Sequence, residues 1–152
     1  MTLTQRLAEL KIDLPAVPGP FGAYVPARRA GNLLFVSGQL PMRAGKLTAT
    51  GPVPGACTIE AATTAARQCA VNALAAARTV VGSIDQIAGV VRVGAFVCSD
   101  ATFTDQPKVA NGASTLFLDL FGDAGRHARA AVGVNVLPLG ASVEVEVVFA
   151  LS

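Results

Sequence analysis

The chain is poor in charge. Charged residues make up 14% of its 152 residues, against about a quarter in a typical globular protein. Apolar residues make up 52%. A soluble chain with so few charges often hides part of its surface in an oligomer, but a tightly packed, alanine-rich monomer explains the same composition. The length predicts a single domain over residues 1–152, with residues 1–20 as an N-terminal extension.

Basic runs are also missing. The twelve lysines and arginines give a net charge of +2 and are scattered along the chain, without the arginine–aromatic interleaving that binds RNA. We therefore do not expect nucleic acid as a partner. No uncharged apolar run reaches about 18 residues, so no membrane span is expected. The first ten residues lack the pattern of a signal peptide.

Metal-binding patterns are absent as well. The three cysteines, Cys57, Cys69 and Cys98, have no ligand spacing, and His127 is the only histidine. We expect reduced, mostly buried thiols, a cytoplasmic protein and no metal site. There is no Gly-x-Ser-x-Gly elbow, so Ser37 is not predicted to be a nucleophile, although its hydroxyl lies at a strand end where it could face a pocket.

The pattern of elements predicts an α+β fold. Apolar spacing indicates a short helix over residues 4–10 and two strands over residues 24–28 and 33–37. Residues 42–57 are predicted to form a loop or a loose hairpin. Two longer helices follow, one capped by Thr58 and ending at Gly82, the other starting at residues 105–107 and ending at Gly122, with a strand over residues 87–98 between them. With two closing strands, the order β-β-α-β-α-β-β places the helices on one face of a mixed sheet.

The two closing strands carry the most informative side chains. The first opens with Arg126, His127 and Arg129, and the second alternates valine with Glu144 and Glu146. A period of two puts both glutamates on one face of the strand. An antiparallel turn at Leu137-Pro138 could bring an arginine at the start of one strand close to a glutamate on the next. The arginine fork is suited to carboxylates and a glutamate can move protons, so this arrangement is a plausible site for hydrolysing small acids.

An ordinary surface ion pair explains the same pattern, since glutamates on solvated strands are common and exposed pairs contribute little. The other single residues are also ambiguous. His127 is either a general acid or base or, as we favour, a supporting hydrogen-bonding residue. Tyr24, the only tyrosine, is either packing or a ligand contact.

Several short motifs, taken together in order, resemble one family over residues 20–150, the RidA family of reactive enamine/imine deaminases, also labelled L-PSP endoribonuclease-like. The motifs are Gly22-Ala23-Tyr24, Leu34-Phe35-Val36-Ser37-Gly38-Gln39-Leu40-Pro41, Val109-Ala110-Asn111, Ala128-Arg129, and Leu137-Pro138 followed by Val143-Glu144-Val145-Glu146. The N-terminal helix and the string Gly125-Arg126-His127-Ala128-Arg129 resemble a longer subgroup of that family.

The resemblance implies a chorismate-mutase-like fold. It further implies a homotrimer in which the sheets form a central barrel, with pockets between subunits. In such proteins an arginine clamps the carboxylate of a small imino acid, a glutamate positions water, and a 2-keto acid and ammonia are released without a cofactor. By position, these roles fall on Arg129 and Glu144. Substrate-binding roles fall on the following residues: Tyr24, Ser37, Gly38, Asn111 and Ala131.

The sequence departs from the archetype of the family near the arginine. Alanines stand at 130 and 131, where the archetype has serine and cysteine, and His127 stands where a proline is usual. The added Arg126-His127 pair suggests a different or larger acid as the substrate. Two other functions stay open: a trimer that binds a small carboxylate-bearing metabolite without turnover, and an endoribonuclease.

Overall fold

The computed structural model describes residues 1–19 and 21–152. Its helices and strands are, in chain order, α1 Leu3–Glu9, β1 Ala27–Ala30, β2 Leu33–Gln39, β3 Met42–Arg43, β4 Lys46–Leu47, α2 Ile59–Val81, β5 Ile87–Cys98, α3 Gln106–Phe121, β6 Ala128–Val134 and β7 Val143–Leu151. The fold is α+β, as predicted, with a small hairpin of β3 and β4 within the predicted loop.

The main sheet has five strands in the order β1-β2-β7-β5-β6. Strands β5 and β6 are parallel, and the other neighbours are antiparallel. The two closing strands run antiparallel, but the prediction that the turn at Leu137-Pro138 brings them side by side is wrong, because β5 lies between them. α3 crosses from β5 to β6 and makes those two strands parallel neighbours, while β7 inserts between β5 and β2. In the central place, β7 alternates buried apolar side chains with half-buried ones, whereas the edge strand β6 is mostly exposed.

Helix α2 follows its predicted bounds. The Thr58 hydroxyl accepts a hydrogen bond from the Ala61 amide at 3.1 Å, and Gly82, with φ of 76°, ends the helix. Its buried face is largely alanine, which lets the helix pack closely on the sheet. Helix α3 packs against α2 at Gly112, where a Cβ would collide with the Thr63 carbonyl. A side chain at 112 would push α3 away from α2, and would displace the residues that α3 carries.

The first strand begins later than predicted. β1 starts at Ala27, and residues 24–26 precede it without strand pairing. Pro26 has no N–H to donate to a ladder, which limits pairing at this point. Helix α1 and strand β5 lie within one residue of their predicted bounds, and all three cysteines are free and buried, as expected.

The two faces of the sheet differ. Both long helices cover one face, where Val93, Val145 and Val147 are fully buried. The other face has no helix on it in the described residues and exposes Phe35 and Val132 at 47% and 45%. This face, which also carries Phe96 and Val148, is called here the open face. Because apolar patches of this kind mark interaction surfaces, the open face is a candidate interface.

None of the helices in residues 1–19 and 21–152 combines the length and apolar character needed to cross a bilayer. The same residues contain no group of three or more histidine, cysteine, aspartate or glutamate side chains placed to hold a metal ion.

Candidate functional site

Arg129 lies on edge strand β6 and points to the helix-covered side. Its Nη1 donates to Asn111 Oδ1 at 2.8 Å and to Ser114 Oγ at 3.2 Å, both on α3. Within the described residues, no salt bridge includes Arg129. Its guanidinium is therefore oriented by neutral oxygens and keeps its charge available for an incoming carboxylate. We call Arg129, Asn111 and Ser114 the cationic half-site.

The residues next to Arg129 in the charge cluster point in different directions. Arg126 pairs with Asp123 at 3.3 Å in solvent, with both side chains well exposed. His127 is half-buried and packs edge-on against Phe117. Its ring nitrogens contact Ser114 Oγ at 2.8 Å and the Gly125 carbonyl at 2.6 Å. Only His127, and not Arg126, therefore connects to the cationic half-site.

Glu144 lies on β7 and points to the open face, where its carboxylate packs directly on the α-carbon of Gly38. A side chain at 38 would collide with Glu144 Oε1. The pairing of β2 with β7 shifts register between Val36 and Gln39, so Gly38 sits in a bulge. Bulges and close backbone approaches of this kind are common beside active sites. We call Glu144, Gly38 and Ser37 the acidic half-site.

Burial raises the pKa of Glu144, and the neighbouring negative charge of Glu146 raises it further. Glu146 itself pairs with Arg92 at 3.1 Å, with both side chains about 45% exposed. The ordinary surface ion pair anticipated for this strand thus belongs to Glu146. Glu144 has no hydrogen-bond donor in the described part of the chain. A half-buried carboxylate with a raised pKa is a stronger base than a free one, which suits general base catalysis.

The other predicted contacts lie near the acidic half-site. The Ser37 hydroxyl donates to the Val25 carbonyl at 2.7 Å and so ties the segment before β1 to β2. Tyr24 is 60% exposed and packs edge-to-face against Phe21 at 5.6 Å. Its hydroxyl makes no hydrogen bond within the described residues, whereas the hydroxyl of Ser37 already donates its proton to Val25.

The two half-sites do not meet within the described chain. Residues paired in register point to the same face of a sheet. Arg129 pairs with Val93, which belongs to the helix-covered face, while Glu144 pairs with Phe96 on the open face. The two strands are also separated by β5, at roughly 10 Å. Arg129 and Glu144 therefore lie on opposite faces, and Ala131 shares the face of Arg129.

A cavity of about 870 Å³ is lined by Ser37, Gly38 and Tyr24, and Glu144 is not among its lining residues. The extension at residues 10–18 forms one wall, and α2 forms the other, with Arg67 among its polar residues. The Arg78 side chain holds the extension by donating to the carbonyls of Leu14 and Pro15 at 3.3 Å. The cavity lies within the usual size range for a small-molecule site.

Sequence reasoning missed Ser114, which contacts both Arg129 and His127. One signal was available. Asn111 and Ser114 are three residues apart on a predicted helix, a spacing that places both side chains on one face. The bulge at Gly38 also had a signal, because a glycine inside a strand pattern suggests a bulge or a close approach.

The comparison with known protein families shows to which family the chain belongs. The sequence model described as "YjgF/chorismate_mutase-like, putative endoribonuclease" matches residues 4–151. The chain belongs to this family, the RidA (YjgF) family. The α+β fold with a chorismate-mutase-like arrangement follows from the same match and agrees with the observed sheet and helices.

Relatives within the RidA family carry different names. The chain is 42% identical over 147 residues to Protein TCP17 of Trypanosoma cruzi, covering 96% of this chain and 92% of that protein. It is 31% identical to a 2-iminobutanoate/2-iminopropanoate deaminase of Dermatophagoides farinae, with 89% and 91% covered. It is similar to the crystal structure of Atu1372, a protein of unknown function from Agrobacterium tumefaciens, at a TM-score of 0.91 and 42% identity, with 99% and 94% covered.

Proposed function

We propose that the protein is a hydrolytic deaminase of small reactive enamine or imine acids and that it works as a homotrimer with its pockets between subunits. The observation that carries this proposal is the separation of the predicted site into two incomplete halves. Among the described residues, Arg129 has no carboxylate partner, and Glu144 has a raised pKa but no salt-bridge partner. A second copy that joins one half to the other would complete the site.

Three features of the surface support such an assembly. The open face exposes Phe35 and Val132, and β6 is an edge strand that pairs only with β5 among the described residues. Unpaired edges and exposed apolar faces are normally covered in stable proteins. Val136 and Leu139, in the segment between β6 and β7, are 65% and 77% exposed. An obligate assembly would bury more than about 2,000 Å² in all.

In the proposed reaction, Arg129 holds the substrate carboxylate while water attacks the imine carbon. Glu144 accepts one proton of that water as the new carbon–oxygen bond forms and passes it to nitrogen, which gives a carbinolamine. The carbinolamine hydroxyl then gives its proton to Glu144, which passes it to nitrogen as the carbon–nitrogen bond breaks and the keto group forms. One imino acid and one water give one 2-keto acid and one ammonia. Because Arg129 holds the carboxylate, the imine carbon has a fixed position relative to the base. This orientation is how the arginine increases the rate.

The cavity under the N-terminal extension suits a substrate side chain larger than a methyl or ethyl group. It borders Gly38 and is far larger than a three-carbon acid requires. The relative named as a deaminase acts, by its name, on 2-iminobutanoate and 2-iminopropanoate. We propose that this chain takes acids of the same class with longer side chains.

The experiment generates imino acids in place with an amino-acid oxidase, across a series of side chains, and measures ammonia and keto acid with and without the protein. Accelerated hydrolysis that grows with side-chain length supports the proposal. Binding of 2-keto acids without turnover would instead indicate a metabolite-binding protein. RNA cleavage without imine hydrolysis would overturn the deaminase proposal. Light scattering at micromolar concentration tests the assembly, and a monomer mass would remove the shared-pocket mechanism.

A further inference from the structure

A chain of hydrogen bonds links the free guanidinium of Arg129 to the protein core. Arg129 Nη1 lies 3.2 Å from Ser114 Oγ, which lies 2.8 Å from His127 Nε2. The other ring nitrogen, Nδ1, lies 2.6 Å from the Gly125 carbonyl. The Asn111 side chain makes the second contact to Nη1 at 2.8 Å.

The donors and acceptors in this chain fit only one arrangement with a neutral imidazole. A carbonyl oxygen only accepts, so His127 Nδ1 carries the proton that Gly125 receives. The unprotonated Nε2 then accepts from the Ser114 hydroxyl. With its proton directed to His127, the Ser114 oxygen presents its lone pairs to Arg129, which only donates. Every group is therefore used once and in one direction, from Arg129 to Ser114 to His127 to Gly125.

The His127 end of the hydrogen-bond chain is firmly held. The His127 ring packs edge-on against Phe117, with centroids 6.1 Å apart, and Phe117 is fully buried. His127 and Ser114 are half-buried, whereas Arg129 is exposed. The buried Phe117 thus restrains His127, His127 restrains Ser114, and Ser114 restrains the exposed Arg129. A long, exposed arginine would otherwise lose side-chain entropy on binding a ligand.

We infer that Ser114 is a positioning residue for carboxylate binding, and that together with His127 it fixes one edge of the Arg129 guanidinium so that the other edge is ready for the ligand. This inference rests on the proposed role of Arg129. The Nε and Nη2 atoms of Arg129 have no partner in the described residues, which leaves them for a bidentate contact with a carboxylate.

The first experiment measures binding and turnover in Ser114→Ala. Loss of a hydrogen bond to a charged group should weaken 2-oxobutanoate binding and raise KM about tenfold, with a smaller change in kcat. Ser114→Thr keeps the hydroxyl and should restore most of the affinity. Thr115→Ala, one position along the same helix but exposed to solvent, is the matched control and should behave as wild type. Thermal melts of each variant check that the fold is kept.

The second experiment observes the hydrogen bonds of His127 directly by NMR. Because His127 is the only histidine, a long-range proton–nitrogen NMR spectrum of the labelled protein shows a single imidazole that needs no assignment. The expected signal is that of the Nδ1–H tautomer. In Ser114→Ala the Nε2 resonance should shift, since it loses its donor, while Nδ1 should not. In addition, Ser114→Ala combined with His127→Asn should bind 2-oxobutanoate no more weakly than Ser114→Ala alone, because both act through one path.

The outcomes separate this inference from the proposed function. If the wild-type protein neither binds 2-oxobutanoate nor turns over any imino acid, the proposed function fails and the carboxylate role of Ser114 fails with it. If the wild-type protein binds and Ser114→Ala binds equally well, only the positioning role is overturned. An Nε2–H tautomer would overturn the hydrogen-bond chain whatever the ligand results.

Discussion

The cationic and acidic half-sites are built by different means. Arg129 is oriented by hydrogen bonds from α3, which fix where the charge lies. Glu144 has no such donor in the described residues and is instead packed on Gly38, with a pKa raised by burial and by Glu146. The contrast suggests a division of roles. A binding cation gains most from fixed geometry, whereas a general base gains most from a suitable proton affinity.

Replacing the cation should have the largest effect. Arg129→Lys keeps the charge but loses the planar fork, and an ammonium cannot make the same two contacts to Asn111, Ser114 and a carboxylate. We expect kcat/KM to fall on the order of 10²-fold or more, through both KM and kcat, in the imine-hydrolysis assay. Arg126→Lys is the matched control, because Arg126 pairs with Asp123 in solvent. Equal activity in both variants would remove the cationic half-site from the mechanism.

Glu144→Gln tests the other half-site. It keeps the shape and removes the base, so turnover should fall on the order of 10²-fold, with binding of 2-oxobutanoate largely preserved. Glu146→Gln, two residues along the same face, should lose far less activity. A Glu144→Gln variant that turns over normally but binds poorly would mean that Glu144 contacts the ligand without acting as a base.

Gly38→Ala is expected to have an intermediate effect. The new methyl group collides with Glu144 Oε1 and moves the carboxylate away from its position. We expect kcat to fall about tenfold, in line with the sensitivity of catalysis to small displacements. A double-mutant cycle provides the check. When Glu144→Gln has already removed the base, the added alanine should cost much less. Additive losses would show that the alanine does not act through Glu144 and instead changes another feature, such as the wall of the cavity that Gly38 lines.

The smallest effect should be a shift in pH dependence. A general base works when ionised, so activity rises as pH rises through the pKa of Glu144. Burial is the first cause of its raised pKa, and Glu146 is the second. Glu146→Gln should therefore move the acid side of the activity profile to lower pH, by less than about one unit. Arg92→Gln leaves the Glu146 charge unneutralised and should move the acid side of the activity profile to higher pH. A profile unchanged in both variants would assign that limb to another group.

His127 shows how far sequence reasoning about the site reached. A supporting role was predicted for it, and its position is explained by two hydrogen bonds and the Phe117 contact. The functional role itself stays a prediction. His127→Asn should keep most of any deaminase activity at saturating substrate and raise KM no more than Ser114→Ala does, whereas a loss on the order of 10²-fold would make His127 the base in place of Glu144.

The sequence by itself determined the local elements and much of their packing. Thr58 and Gly82 bound α2, Gly122 ends α3, and the alternation of valine and glutamate in β7 sets which side chains are buried. These features depend on short-range sterics, helix capping and a two-residue period, and each of these is determined by residues close together in the sequence. The motifs around Gly38, Asn111, Arg129 and Glu144 likewise pointed to the right family.

Tertiary structure alone decided which strands are neighbours. The turn at Leu137-Pro138 joins β6 to β7 in sequence, yet β5 lies between them and Arg129 and Glu144 face opposite ways. Strand order depends on long-range contacts: α3 carries the chain across to β6, and the more apolar β7 takes the centre of the sheet. The contact of Ser114 with His127 and Arg129 also arises only when α3 packs beside β6, because residues on separate elements have no fixed distance until the sheet and helices assemble.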